Sequence, residues 1–252
     1  MDFTLPIGVQ KDGKTIKSME VKELDGYARR ILTDIKKNKN AAKVVTGLLG
    51  HCLMVDGKSI GDVLAQRMFV VDRNAALVAL QRESNGDNVV AHYNCVWCNQ
   101  GFEFEDNLAL LDCQILPEGE LLETVTVQLD KGFKDSEDNV HRDVTMRVPT
   151  GQDEEVTAHM FLESYQQWCS TIIIRLTTKF GDLDMDKFAG LGVKVIDAIS
   201  ARDIDKLIAA VNTELPGYKT KHDVICANCQ KVVTVSQDMS SFFLPNQMVN
   251  MR

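Results

Sequence analysis

Alternating apolar and polar residues open the chain and predict a β-hairpin. Apolar side chains recur at every second position over residues 3–9 and again over residues 15–21, and the turn-forming residues Lys11-Asp12-Gly13 separate the two runs. From residue 26 the apolar positions recur at helical spacing, and nearby lysines suit the C-terminal end of a helix that we predict over residues 26–38. The chain is therefore expected to begin with a hairpin followed by helices.

More helices are predicted before residue 85. Asn40 is placed to cap the N-terminus of the first of them, and Gly50 is placed to end it. Asp72 is the candidate N-cap of a helix over residues 75–82. The polar cluster Asp72-Arg73-Asn74 lies between apolar runs, and the simplest interpretation is a helix start with a local ion pair rather than a catalytic group.

The rest of the chain mixes short strands with longer helical patterns. Apolar residues recur with period two in six segments, which we predict to be strands. They are residues 89–93, 102–104, 124–129, 144–148, 223–225 and 232–235. Helical spacing predicts three helices, over residues 154–176, 185–200 and 203–215. No internal repeat is found beyond a duplicated cysteine pair.

These elements predict an α+β fold with a mainly helical C-terminal half and four regions. The regions are a hairpin plus helices over residues 1–87, a β-rich region over 88–150, a helical region over 151–217 and a C-terminal segment over 218–252. The second and fourth regions each carry one cysteine pair. We expect these middle and C-terminal segments to complete one zinc-ribbon-like element together.

Composition and charge narrow the classes of function. Hydrophobic residues make up 44% of the 252 residues and charged residues 25%, which is typical of a globular chain. The formal net charge is -8, so the chain has no positive field to attract nucleic acid phosphates. Apolar stretches such as residues 170–176 are far shorter than a membrane span, and the N-terminus lacks the pattern of a secretory signal. We expect neither nucleic acid nor membrane as a partner.

Four of the seven cysteines are arranged in two Cys-x-x-Cys pairs. Cys95 and Cys98 form the first pair, and Cys226 and Cys229 form the second. This spacing lets a tight turn present two thiolates to one tetrahedral ion, and each pair lies between two predicted strands, as in a zinc ribbon. An odd number of cysteines without an export signal fits a reducing compartment, where zinc is favoured over disulfides. The pairs together predict one structural Zn2+ per chain.

Two other interpretations of the pairs stay open. About 130 residues separate them, whereas compact zinc modules have about 15 to 20, so one or both pairs could be reduced core cysteines. A single pair could be a redox dithiol, although residues 99–104 look extended rather than helical, which disfavours a thioredoxin-like site. Zinc held by four protein sulfurs has no open position for water or substrate. The other cysteines are expected to be core residues, namely Cys52, Cys113 and Cys169.

No constellation typical of an enzyme is found, and we expect no catalysis and no small-molecule substrate. His51 and Cys52 are adjacent, so on a helix they point to different sides. The chain has no Gly-rich phosphate loop, nucleophile elbow or metalloprotease helix. The acidic run over residues 182–186 lacks the glycine and glutamate of a calcium loop and is better explained as a helix N-terminus. The other histidines are expected to be surface or strand residues, namely His92, His141, His159 and His222.

Several landmarks, taken in order, resemble a known protein family. Leu5-Pro6 opens the hairpin, Val71-Asp72-Arg73-Asn74-Ala75-Ala76-Leu77 begins a helix, and Phe242-Phe243-Leu244-Pro245 follows the second cysteine pair. With the two pairs, these residues resemble the baseplate hub and tail assembly family of T-even-type contractile-tailed phages. The resemblance spans most of the chain. The family's common proline within the cysteine pair is replaced here, in the first pair by Val96-Trp97.

The resemblance implies a structural or assembly protein in the hub region of a contractile phage tail baseplate. Such a protein would be a virion component that is assembled in the host cytoplasm and that contacts other baseplate or tail proteins. The alternative is a tail-assembly chaperone that engages another tail protein transiently and is absent from the mature particle. Residues 242–246 would be either a docking element or part of the core.

Overall fold

The computed structural model describes residues 1–33, 40–219, 221–236, 239 and 243. Within them the paired strands are antiparallel and form one four-stranded, one three-stranded and three two-stranded sheets. The strands are β1 (Asp2–Lys11), β2 (Lys14–Val21), β3 (Leu53–Val55), β4 (Lys58–Ser59), β5 (Asn88–Asn94), β6 (Gly101–Asn107), β7 (Cys113–Gln114), β8 (Thr124–Lys134), β9 (Val140–Arg147), β10 (Thr177–Phe180), β11 (Gly217–Tyr218), β12 (Lys221–Ile225) and β13 (Val232–Ser236). The helices are α1 (Gly26–Thr33), α2 (Ala41–Cys52), α3 (Gly61–Arg67), α4 (Val70–Asn85), α5 (Gly151–Glu163), α6 (Tyr165–Leu176), α7 (Met185–Ala198) and α8 (Ala201–Asn212). The predicted α+β fold is confirmed.

The predicted N-terminal hairpin is present as β1 and β2. The two strands pair from Asp2 with Glu20 to Lys11 with Lys14, and the register shifts between Thr4 and Val9. Gly8 lies inside this irregular stretch with φ +100, and a Cβ there would stand 2.9 Å from the side chain of Thr15. The bulge therefore requires glycine, and it turns two backbone N–H groups away from β2.

The helix boundaries agree only in part with the sequence. Asn40 caps α2 as predicted, because its side chain accepts a hydrogen bond from the backbone N–H of Lys43. The last residues of the predicted helix over 26–38 lie outside the described part of the chain. The prediction that Gly50 ends α2 is wrong, since the helix continues to Cys52. A Cβ on Gly50 would lie 2.6 Å from Asp62, so this glycine permits the close packing of α2 against α3.

The interpretation of Asp72-Arg73-Asn74 as a helix cap with a local ion pair is also wrong. α4 begins before these residues. Both charged side chains are buried, and each has its partners in a different part of the fold. Asp72 accepts hydrogen bonds from the backbone N–H groups of Ile7 (2.8 Å) and Gly8 (3.0 Å) at the β1 bulge. Arg73 donates to Glu154 in α5 at 2.8 Å. Local sequence could not reveal these partners because they are distant along the chain.

The helical region predicted over residues 154–176 is divided into two helices. α5 and α6 are separated at Ser164, whose extended backbone (φ -157) interrupts the helix and whose side chain caps α6. The β-branched residues Ile172 and Ile173 remain helical because both are buried in the core. The acidic run before α7 is a helix N-terminus as predicted, with Asp184 as the N-cap.

The structure contains an internal repeat that the sequence analysis missed. A hairpin, two helices, a strand that returns to the hairpin, two helices and a short hairpin follow one another twice. The first copy, here the N-terminal unit, covers residues 2–107 and includes α1 to α4. The second, the C-terminal unit, covers residues 124–236 and includes α5 to α8. In each unit the long first strand has an irregular register with its partner.

A constant spacing in the sequence marks the second part of each unit. Five pairs of identical residues lie 131 positions apart. In each pair, one residue belongs to the N-terminal unit and the other to the C-terminal unit. The pairs are Gly61 and Gly192, Asp72 and Asp203, Gly86 and Gly217, Cys95 and Cys226, and Cys98 and Cys229. Asp203 also repeats the contact of Asp72, because it accepts hydrogen bonds from backbone N–H groups of the equivalent β8 bulge at Asp130, Lys131 and Gly132.

Each unit has its own hydrophobic core. One buried cluster lies among β1, β2, α2, α3 and α4, and a second lies among β8, β9, α6, α7 and α8. Phe243 packs against the first cluster, and the other residues of 242–246 lie outside the described part of the chain. Among the described helices, none is long and apolar enough to cross a membrane. The four regions drawn from the sequence remain a prediction about folding units.

Candidate metal centre

Each cysteine pair lies in a tight turn between the two strands of a short hairpin. In the first hairpin the N–H of Cys95 donates to the carbonyl of Gln100 at 3.0 Å, and the N–H of Asn99 donates to the carbonyl of Cys95 at 2.8 Å. Asn99 adopts φ +55, a conformation that asparagine tolerates better than most residues. These bonds close the turn so that both sulfurs face the same side.

The second pair repeats this geometry bond for bond. The N–H of Cys226 donates to the carbonyl of Lys231 at 3.0 Å, and the N–H of Gln230 donates to the carbonyl of Cys226 at 2.9 Å. Gln230 has φ +60 and occupies the position of Asn99. The absence of the proline expected from the resemblance has therefore not prevented a turn of the required shape in either pair.

The two turns face each other and bring the four sulfur atoms together. All four Sγ atoms lie within 4.8 Å of one another. In the described part of the chain, no other group of three or more potential metal ligands is found. Cys95 Sγ is 3.6 Å from Cys229 Sγ, and Cys98 Sγ is 3.9 Å from Cys226 Sγ. A tetrahedral zinc with Zn–S bonds of about 2.3 Å separates its sulfurs by about 3.8 Å. The sulfur positions fit such an ion, and they are too far apart for disulfides.

Hydrogen bonds make the four thiols unequal. Burial raises the pKa of Cys95, but N–H groups of Cys98 and Trp97 and the neighbouring thiols of Cys229 and Cys98 lower it to about 6. At Cys98 the N–H of Gln100 lowers the pKa, whereas burial and bonds with the other thiols raise it to about 11. Cys95 therefore ionises more readily than Cys98, and a thiolate is the form in which cysteine binds a metal.

Two side chains outside the cysteines tie one turn to the other. Trp97 Nε1 donates to the carbonyl of Val232 at 2.9 Å, and Asn228 Nδ2 donates to the carbonyl of Gly101 at 3.1 Å. Lys231 Nζ stands 5.0 Å from the centre of the Trp97 ring. The sequence analysis missed this role of Trp97 and Asn228. The available signal was that both occupy the third position of a Cys-x-x-Cys pair and carry a side-chain N–H.

The three cysteines outside the cluster lie much as the sequence predicted. Cys52 and Cys169 are buried core residues, and Cys113 is half-buried in β7. Burial raises the pKa of Cys52 to about 11, which makes it a poor nucleophile. His51, next to it, instead contacts Asp25, with Nε2 2.9 Å from Oδ2. The two neighbours therefore form no nucleophile and base pair.

His141 meets its prediction as a surface or strand residue through its place in a strand and not at the surface. It lies in β9 as a strand residue, but its side chain is buried. Its Nδ1 accepts the backbone N–H of Asp182 at 3.3 Å, so Nε2 carries the proton and donates to Asp135 at 3.0 Å. Both ring nitrogens are engaged, and this histidine holds the β8–β9 loop to the segment before α7.

The fold and this centre define a class of protein, an α+β chain of two similar units joined by four cysteines that could bind a metal ion. A profile of the T4 bacteriophage base plate protein family matches residues 3–244, and the chain belongs to that family. No curated protein and no solved structure matches the chain. Family membership makes it a phage baseplate structural protein, a component of the tail that contacts other phage tail proteins. The predicted resemblance to baseplate proteins is confirmed.

Proposed function

We propose that this chain is a non-catalytic protein of the baseplate hub region and that one structural Zn2+ joins its two units. Family membership supports the baseplate role, and the resemblance of its motifs to hub proteins supports the location in the hub. The convergence of four sulfurs within 4.8 Å is the observation that carries the zinc part. Cysteine sulfur as the sole ligand type favours zinc among the common divalent ions.

The proposed ion acts as a crosslink between segments that are far apart in the sequence. Cys95 and Cys98 lie between β5 and β6 of the N-terminal unit, and Cys226 and Cys229 lie between β12 and β13 of the C-terminal unit. Neither pair offers more than two sulfurs, so the site exists only when the units are docked. Folding and metal binding should therefore be coupled, and the binding energy becomes part of the stability of the docked chain.

The non-catalytic part of the proposal rests on the chemistry of the candidate groups. Four protein sulfurs would fill a tetrahedral coordination shell and leave no position for water or substrate. Both ring nitrogens of His141 are held in hydrogen bonds, and burial raises the pKa of Cys52. These groups are arranged to hold the fold.

Elemental analysis of protein purified without chelator tests the metal. We expect one zinc per chain, and we expect each of four variants to lose zinc and to melt at a lower temperature. The variants are Cys95→Ser, Cys98→Ser, Cys226→Ser and Cys229→Ser. Cys113→Ser is the matched control, since Cys113 lies outside the cluster and should retain the metal. Absence of metal, or loss from the variants of only one pair, would refute the shared site.

A transient tail-assembly chaperone is the second candidate function. This role shares with a baseplate component only the contacts with other tail proteins that family membership implies. Mass spectrometry of purified particles separates them, since a baseplate component persists in the mature particle and a chaperone does not. For a component, cross-linking of assembled baseplates should connect the chain to hub subunits. In either case we propose that assembly occurs in the host cytoplasm.

A further inference from the structure

The internal repeat makes it possible to compare a covered surface in one unit with the equivalent surface in the other. In the N-terminal unit, α5 covers a face formed by α2, α3 and α4, here the covered face. Glu155 of α5 accepts hydrogen bonds from Thr46 and Gln66 on this face, and Glu154 accepts one from Arg73. α5 is the first helix of the C-terminal unit. The covered face is thus the place where one unit receives the first helix of the next.

The equivalent face of the C-terminal unit, here the open face, is formed by α6, α7 and α8. The helices of the two units can be aligned by the starts of α2 and α6, the ends of α3 and α7, and the starts of α4 and α8. In this alignment Ser170 corresponds to Thr46, Asp197 to Gln66 and Ile204 to Arg73. Thr46 and Arg73 are buried, and Gln66 is half-buried. Their three counterparts are all more exposed, and Asp197 belongs to the exposed residues. Within the part of the chain that the structure describes, the open face therefore has the same construction without the same cover.

The first helix of the N-terminal unit, α1, is the counterpart of α5 and carries exposed arginines where α5 carries glutamates. α1 and α5 both begin with glycine after a capping residue, so Arg29 and Arg30 take the positions of Glu154 and Glu155. Glu155 is buried beneath the covered face, whereas both arginines are exposed. Arg30 is held over the ring of Tyr27 at 5.5 Å from its centre.

The charge of the helix and the charge of the face both change sign between the two cases, α5 on the covered face and α1 with the open face. On the covered face, Arg73 donates a hydrogen bond to Glu154 of α5. On the open face, Ile204 replaces that arginine, and the acidic residue Asp197 is exposed. A helix like α5, with two glutamates, would be repelled there, whereas the two arginines of α1 are attracted. The reversal favours α1 as the occupant of the open face.

A pair of glycines gives independent support. A Cβ on Gly151 would stand 2.4 Å from the guanidinium of Arg73, so close docking of α5 requires glycine. Gly26 begins α1 at the equivalent position, yet a Cβ there would meet no described atom within 4 Å, and its φ is not positive. Nothing within the described part of the chain requires glycine at Gly26. A close approach of α1 to another surface would require it.

Within one chain, α1 belongs to the N-terminal unit's own core, packed on α2. Another molecule must therefore supply the helix for the open face. We propose that a second copy of this chain docks its α1 on the α6, α7 and α8 face, so that chains associate head to tail. Such a contact is heterologous, because each chain gives one surface and receives with another, and it leads to rings or filaments.

Sedimentation velocity of the full-length chain over a concentration series tests this proposal. The wild-type chain should form larger species as its concentration rises, and Arg30→Glu and Asp197→Arg should each weaken association at least tenfold. Lys194→Glu is the matched control on α7. Its counterpart, Val63, is 71% exposed in the covered unit and so lies off the docking face. The control should associate as the wild type does.

Mixing the two variants gives the decisive result. Arg30→Glu chains keep an intact open face, Asp197→Arg chains keep an intact α1, and the two reversed charges also complement each other. The mixture should therefore recover the association that each variant alone loses. Gly26→Ala should also weaken association, and it keeps the test available if a charge reversal unfolds the chain. A wild-type chain that stays monomeric, variants that associate normally, or a mixture that gains nothing would each overturn the proposal.

Discussion

Trp97 and Asn228 form the same hydrogen bond in opposite directions across the metal centre. Trp97 donates to the carbonyl at the start of β13, and Asn228 donates to the carbonyl at the start of β6. The two carbonyls, of Val232 and Gly101, occupy equivalent positions in the two hairpins. The candidate centre therefore has an approximate two-fold symmetry in which each unit supplies half of the candidate ligands and half of the supporting bonds.

This symmetry predicts similar losses from Trp97→Phe and Asn228→Ala. Each change removes one donor and leaves a carbonyl of the other hairpin without its bond, at a cost of about 1 kcal/mol. We expect both variants to release zinc to a competing chelator more readily than the wild type and to melt at a lower temperature. Val96→Ala should do neither, because Val96 is 77% exposed. An effect confined to one variant would contradict the equivalence of the two turns.

Asp203→Asn is expected to destabilise the chain more than Asp72→Asn does. Burial raises the pKa of Asp203, but bonds from three backbone N–H groups hold it below its usual value. At Asp72, burial outweighs two such bonds and raises the pKa to about 6. The carboxylate of Asp203 is therefore the better stabilised, and its loss should cost about 1–3 kcal/mol.

Amide hydrogen exchange checks both substitutions locally. Asp203→Asn should speed exchange at residues 130–132, and Asp72→Asn should speed exchange at residues 7 and 8. Denaturant unfolding gives the order of the two losses. Equal exchange at both bulges in the two variants would show that these carboxylates do not fix the strands they contact.

Two alanine substitutions at equivalent glycines should have opposite effects on stability. Gly151→Ala places a methyl group against the buried guanidinium of Arg73, so the bond from Arg73 to Glu154 must shift. We expect it to lower the melting temperature. Gly26→Ala meets no described atom and improves the intrinsic helix propensity by up to about 1 kcal/mol, so the melting temperature should stay level or rise. Thermal unfolding of dilute protein checks both, and equal destabilisation would contradict this account.

Acid stability is expected to depend on Asp153. Burial raises its pKa, but hydrogen bonds and charges from Arg147 and Arg175 lower it to about 2. Because the folded pKa lies below the ordinary 3.8, the stabilisation of about 2 kcal/mol is present above pH 3.8 and is lost as the pH falls towards 2. In Asp153→Asn this pH dependence should disappear, whereas Asp138→Asn, at an exposed position, should keep it. Urea unfolding from pH 2 to pH 7 provides the measurement.

The sequence alone determined the elements whose signals are local. Period-two alternation identified the hairpin β1–β2, and Asn40 identified the start of α2. The spacing of Cys95 with Cys98 and of Cys226 with Cys229 identified the candidate ligands, since two residues between the cysteines let one tight turn present both sulfurs. These features depend on backbone geometry and capping within a few residues, so neighbours in the sequence are sufficient to specify them.

The tertiary structure decided which distant groups meet. Asp72 and Arg73 looked like a local pair, yet one binds the β1 bulge and the other binds α5, because a buried charge needs partners that only the folded chain brings near. The repeat escaped detection because core positions require apolar volume rather than particular residues, so few identities survived between the units. The convergence of the two cysteine pairs depended on the docking of those units. The spacing of the cysteines identified the candidate ligands, and packing between the two units brought their four sulfur atoms together.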